Sequence, residues 1–240
     1  MKVKDLYAKL DEFSPFDSQA KWDNSGLQVG SEEMEVKKIV LSIDIDEELI
    51  DSLESGTLLI THHPLIFSGL KTFDYSKYPS NLLHKMISKN IANIAMHTNF
   101  DISHMNAYVS EKVLGYKIIK KDEFINYIEV NENFDSFTKK IKEKLSLKFV
   151  KNVKCKEFIK TAAITTGSGA SQISCIDAEC FLTGDIKYHD AMHAKSIDLS
   201  LIDIGHFESE CYFGEILQGE LKILGLEAII ATSKNPFMYT

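Results

Sequence analysis

Six of the eight histidines, His62, His63, His97, His104, His189 and His206, fall at or just beyond the ends of segments that read as strands. Two are neighbours in THHP, where Pro64 holds His63 extended while the strand is ending, so both imidazoles can leave the sheet edge. Such a pair suits a divalent metal as readily as a polar turn. The next strand ends in AMHTNFD, which brings His97 and Asp101 to the same edge; Asp101 serves equally as the cap of a following helix. Imidazole beside carboxylate is a donor set that Zn, Mn, Fe and Ni accept. GHFESE follows the strand LSLIDI, and a helix starting at Gly205 sets His206 and Glu210 one turn apart on one face, with Glu208 on another. Pooled, these donors suffice for two cations if one carboxylate bridges, and a bridged pair roughly 3.5 to 4 Å apart orients a substrate and activates water near neutral pH.

Two weaker motifs accompany them. WDNSGLQVG carries Asp23, Asn24, Gly26 and Gln28, of which Asn24 is a candidate for binding a polar substrate, although such turns are commonly structural. TGDIKYHD carries Asp185, Lys187 and His189. There Lys187 can meet a substrate phosphate, His189 joins His97 as a candidate acid or base, and Asp185 can instead cap a helix. GSGAS, at Gly167 to Ser171, lacks the G-x-x-x-x-G-K-[ST] pattern of a P-loop.

Composition narrows the partners. All 27 basic residues are Lys, set against 35 acidic ones for a net charge of −8, and Arg is absent. Bidentate Arg recognition of phosphate or guanine is therefore excluded, and an acidic chain lacks the electrostatic footprint for nucleic acid as a main partner. No window approaches the roughly 18 consecutive apolar residues of a membrane span. The start, MKVKDLYAKLDEF, breaks its apolar positions with charges instead of forming an export signal, so a cytoplasmic location is expected. The four cysteines form no C-x-x-C and read as reduced thiols.

Positioning these residues requires strands alternating with helices. Helical spacing of Val3, Leu6, Tyr7, Leu10 and Phe13 opens the chain. Strands are expected at 26–30, 38–45, 57–61, 91–96, 162–165, 180–183, 199–204 and 227–232, with helices at 46–53, 81–89, 107–114, 189–195 and 211–224. This pattern predicts an α/β fold with mixed, largely parallel sheets and functional groups at the carboxyl ends of strands. The Lys-rich stretch 117–160 reads as a connection with one helical stripe, Phe134, Phe137, Ile141 and Leu145. LLITHH matches CFLTGD and AMHTNFD matches IDIGHFE, which suggests a duplicated unit divided as 1–116 and 117–240.

The motifs WDNSGLQVG, SIDID, THHPLIFSGLK, AMHTNFDISH, TGDIKYHDA and GHFESE, in this order over essentially the whole chain, resemble the Nif-three-like family, whose bacterial members carry the name GTP cyclohydrolase 1 type 2 homologue. Phe100 stands where Leu is usual, a change of packing only. The resemblance implies His62, His63, Asp101, His206 and Glu210 as ligands of two divalent ions, with Glu210 bridging, His63 and Asp101 on one ion, and His62 and His206 on the other. It also implies two intertwined α/β repeats in a toroidal homohexamer. The implied substrate is a small molecule such as a nucleotide; in the cyclohydrolase version, water adds at C8 of the GTP base, the imidazole ring opens and formate leaves. A phosphoester hydrolase and a non-catalytic protein that binds or delivers a metal or cofactor are the alternatives.

Overall fold

The computed structural model describes residues 1–238, and eleven strands occur among the described residues. They are β1 (Gly26–Val29), β2 (Lys38–Ser42), β3 (Thr57–Thr61), β4 (Ala92–Ala95), β5 (Ile118–Asp122) and β6 (Ile125–Asn133), then β7 (Asn152–Val153), β8 (Phe158–Ile164), β9 (Cys180–Thr183), β10 (Ser200–Asp203) and β11 (Ile229–Ile230). The chain forms two compact units, one of residues 1–103 with 213–234, the other of residues 104–212 with the residues from Asn235 onward. This differs from a cut at residue 116: the chain passes between units at Ser103, and the late helix Phe213–Ile223 and β11 complete the first unit. Among the described residues, no helix is long and apolar enough to cross a membrane.

The first unit holds a five-stranded sheet in the order β1-β4-β3-β2-β11, with β4, β3, β2 and β11 parallel and β1 antiparallel at one edge. KIVLS, TLLIT and ANIA are almost wholly buried, as strands covered on both faces must be, which is why they read as continuous apolar runs. Val40 and Leu59 of the sheet share a core with Leu82, Leu83 and Met86 of the helix Ser80–Ser88. The helix Glu47–Ser52 starts where Asp46 accepts a 2.7 Å hydrogen bond from the Leu49 N–H. β3 and β4 are adjacent and in register, Thr61 opposite Ala95, so His62 and His97 leave the same sheet edge.

The second unit holds a six-stranded sheet in the order β5-β6-β8-β9-β10-β7. Its centre repeats the plan, because β8, β9 and β10 are parallel and Thr183 lies opposite Asp203, so Asp185 and His206 follow neighbouring strand ends. The stretch 117–160 is not a mere connection: β5 and β6 pair antiparallel, β6 continues the sheet to β8, and β7 pairs with β10. The helical stripe between them is real, the helix Phe134–Lys144 burying Phe134, Phe137 and Ile141. Helical winding also begins earlier than residue 107. Thr98–Phe100 continues through π-type turns at Asp101–Met105 and Val109–Val113, which disturb the 3.6-residue period that would have revealed it.

Candidate functional site

In the first unit, three histidines meet beyond β3 and β4. One ring nitrogen from each of His62, His63 and His97 lies within 4.8 Å of the others. His62 is fully buried, and its Nδ1 is 2.9 Å from the Met96 carbonyl oxygen. A carbonyl only accepts, so Nδ1 carries the proton and the Nε2 lone pair faces Asp101, whose Oδ1 is 3.5 Å away. His63 Nδ1 is 2.7 Å from Asp44 Oδ1, and His97 Nδ1 is 2.8 Å from Asp23 Oδ1. Asp101 is placed inside the helical run rather than at its cap, with its N–H 3.0 Å from the His97 carbonyl. Beneath His62 lies Phe213, 5.2 Å between ring centroids, itself packed edge-to-face on Phe100 at 5.1 Å.

Asp23 is the anchor of this arrangement. Its buried carboxylate also accepts from the Thr98 N–H at 3.0 Å, the Thr98 hydroxyl at 2.5 Å, the Asn24 N–H at 2.8 Å and the Ser25 hydroxyl at 3.1 Å. Burial by itself would push this carboxyl up; the hydrogen bond and charge of His97, with the Thr98 and Asn24 donors, outweigh burial and hold it well below the usual carboxylate range. Asp23 is thus ionised at neutral pH and fixes the His97 ring.

In the second unit, the five-residue helix His206–Glu210 follows Gly205. His206 Nε2 is 3.1 Å from Glu210 Oε2, the one-turn spacing expected of the pair, and His206 Nδ1 is 2.7 Å from Asp185 Oδ2. Glu208 turns away and accepts a 2.9 Å hydrogen bond from the Asn235 amide. Glu210 is 2% exposed and sits over Gly167, where an added Cβ would fall 2.0 Å from its Oε1. Gly167 has φ +63°, and its N–H donates to the Ser209 hydroxyl at 3.0 Å, which in turn donates to the His206 carbonyl at 2.9 Å. Asp185 reaches His206 from a left-handed backbone, φ +57°, a sparsely populated conformation for a residue with a side chain. It is a partner of His206 and not a cap: the helix Tyr188–Ser196 begins after Lys187.

One rule covers all four imidazoles: Nδ1 is engaged by an acceptor, a carbonyl for His62 and a carboxylate for His63, His97 and His206. That fixes the tautomer with Nε2 as the basic nitrogen, the outer-shell arrangement of metal-ligating histidines. Replacing Asp44 with Ala, or Asp185 with Gly to suit its left-handed backbone, both residues being half-exposed and no part of a core, is expected to weaken divalent-metal affinity about 10- to 100-fold at nearly unchanged thermal stability. Competition titration against a chromogenic chelator measures it, and affinities equal to wild type would make these pairs incidental.

The remaining candidates lie elsewhere. His189 is exposed on the helix Tyr188–Ser196 and belongs to no three-donor group of His, Cys, Asp and Glu among the described residues. Lys187 is exposed, and its N–H donates to Asp190 at 2.9 Å. The Asn24 amide donates to the Ile66 carbonyl at 2.5 Å, bracing the segment after THHP. Asp44, the pairing of Asp23 with His97, and Gly167 left no local trace in the sequence, because each acts on a residue 19 to 74 positions away or through the absence of a side chain.

Comparison with known proteins agrees over the whole chain. The family model described as Duf34/NIF3 (NGG1p interacting factor 3) matches residues 1–236. A Campylobacter jejuni protein named GTP cyclohydrolase 1 type 2 homolog is 49% identical over 240 residues, covering 100% of both chains. A Helicobacter pylori protein named GTP cyclohydrolase 1 type 2 is 41% identical, covering 98% of this chain and 97% of its own. A Staphylococcus aureus protein of known crystal structure superposes with a TM-score of 0.85 at 29% identity, covering 100% of this chain and 99% of its own.

Proposed function

The chain belongs to the Duf34/NIF3 family, and from that premise we propose that it is a divalent-metal-dependent hydrolase acting on a purine nucleotide, in the manner of the relatives named GTP cyclohydrolase 1 type 2. Its ligands are His62, His63 and Asp101 in the first unit and His206 and Glu210 in the second, for two ions per chain drawn from Zn, Mn, Fe or Ni. The observation that carries this reading is the uniform engagement of Nδ1 on His62, His63 and His206. Two imidazoles with buried Asp101 in the first unit, and one imidazole with buried Glu210 in the second, each imidazole held in one tautomer, fit a mixed nitrogen and oxygen donor set.

Divalent ions bound there supply the positive charge that acidifies water and offsets negative charge developing on the substrate. The protein's own groups do the rest. With Nδ1 donating to ionised Asp23, His97 is oriented with Nε2 as its basic nitrogen, so it can collect a proton from attacking water and return it to the departing nitrogen. His189, exposed, has no such orienting carboxylate among its described partners, which favours His97 as the proton carrier. The family resemblance extends the proposal to a cytoplasmic, toroidal homohexamer.

The test is a turnover screen on metal-replete protein whose mass is first defined by sedimentation, expected near six times 27.1 kDa. Formate release from GTP and phosphate release from phosphoesters are followed before chelation, after it, and after a divalent ion is restored. Activity should vanish and return; at a free-ion level about 100-fold above Kd, metal should also add about 2.7 kcal/mol to unfolding stability. Turnover that survives complete metal removal rejects the mechanism, and rapid metal exchange without any turnover supports delivery instead.

A further inference from the structure

Trp22 and Phe67 are large aromatic side chains left 62% and 52% exposed, yet they sit together, 5.9 Å between ring centroids. Both stand edge-on to His97, at 6.2 and 6.3 Å. All three belong to the first unit. Solvated aromatic surface on a mobile loop would be unremarkable; here the backbone on each side is pinned. Asp23, next to Trp22, is locked by its hydrogen bonds to His97 and Thr98. Ile66, next to Phe67, gives its carbonyl to the Asn24 amide at 2.5 Å and its N–H to Gln28 Oε1 at 3.2 Å. Trp22 of WDNSGLQVG and Phe67 of THHPLIFSGLK therefore present two aromatic faces at a fixed place beside the imidazole assigned to proton transfer.

The stretch from Pro64 to Ser80, which carries Phe67, lines an open cleft of about 360 Å³, with Leu70, Lys71, Lys77 and Tyr78 in its wall. Lys77 is paired with Asp74 at 3.1 Å; Lys71, exposed, is the second cation there. In a chain without Arg, lysines must meet any phosphate that backbone and metal do not. An aromatic face joined through one residue to a Lys-bearing cleft matches a flat ring carrying an anionic tail.

We propose that Trp22 and Phe67 are the platform on which the heteroaromatic ring of a nucleotide stacks, its phosphates directed toward Lys71, and that this platform holds the ring beside His97. This deepens the nucleotide hydrolase reading and rests on it for the choice of ligand class. Base–aromatic stacking tolerates any base, so the platform sets the class of substrate and leaves discrimination among bases to other groups.

Trp22 is the only tryptophan of the chain, so its fluorescence reports the platform directly. Metal-loaded protein is titrated within seconds of mixing with GTP, ATP, CTP or UTP and with inorganic tripolyphosphate, free tryptophan serving as the inner-filter control. Nucleotides should quench Trp22 saturably and tripolyphosphate should not. Equilibrium dialysis should find nucleotide affinity lowered about tenfold in Trp22→Ala and Phe67→Ala, nearly retained in Trp22→Phe, and weakened in Lys71→Ala for GTP more than for guanosine. Phe67→Leu keeps the apolar bulk and controls for folding. No quench from any nucleotide, or unaltered affinity in both Ala variants, overturns the platform. Formate release on the same samples separates the two readings: quench without turnover leaves the platform and removes the cyclohydrolase, and turnover without quench does the reverse.

Discussion

Glu210→Ala is expected to strip metal from the second unit, and Gly167→Val to reproduce that loss with Glu210 still in the sequence. Glu210 is buried and aligned with His206 Nε2, so its removal takes away one of the two donors that face each other across a helical turn. The fold should survive, since deleting a buried carboxylate removes a group that is costly to desolvate. At Gly167 the two requirements of the site coincide: a left-handed φ of +63° and room for Oε1 where a Cβ would be 2.0 Å away. A β-branched side chain there adds strain of about 1–3 kcal/mol and drives the carboxylate out of its cradle. Gly219→Ala, with nothing within 4 Å of an added Cβ, is the matched control. Glu208→Ala should leave metal content unchanged, because that carboxylate is spent on Asn235. Elemental analysis of the purified variants decides the matter; equal occupancy in Glu208→Ala and Glu210→Ala would reduce GHFESE to an acidic helix start.

Phe213→Ala should cost about 3–5 kcal/mol of stability, the range for emptying a fully buried aromatic site. The ring fills the space under both His62 and Phe100, so collapse around the void would have to move the imidazole or the start of the helical run. Denaturant unfolding gives the stability and metal titration the second effect, a weakened first-unit donor set. A stability loss under about 1 kcal/mol would mean that neighbouring side chains close the cavity and that Phe213 does not support His62.

The sequence was most legible where strands are covered on both faces. Thr57–Thr61 and Cys180–Thr183 are wholly buried around apolar centres, and their expected and observed bounds coincide. It was least legible between residues 117 and 160. β5, IIKKD, is an edge strand whose side chains are mostly exposed, so no buried face imposes a period of two, and β6 mixes Asn and Glu into its exposed end. The histidines and carboxylates at strand ends could be picked out because parallel strands deliver their carboxyl ends to one edge. Their orienting partners could not. Asp23, Asp44 and Asp185 are ordinary turn residues until the fold brings each within 2.8 Å of an Nδ1.

The first unit is closed by residues that are made late, after the strands of the second. Until Phe213–Lys234 leaves the ribosome, β2 has no partner on its outer edge, and His62 and Phe100 lack the ring that packs against them. Roughly 110 residues separate Ser103 from Phe213, on the order of 5–20 s of synthesis. The second unit is nearly continuous in sequence, so its sheet has all its strands while the earlier-made half still waits for its last one. The two sheets are completed in the reverse of the order in which they are begun, and the nascent chain carries an unfinished apolar sheet edge throughout that interval, the kind of surface on which chaperones act.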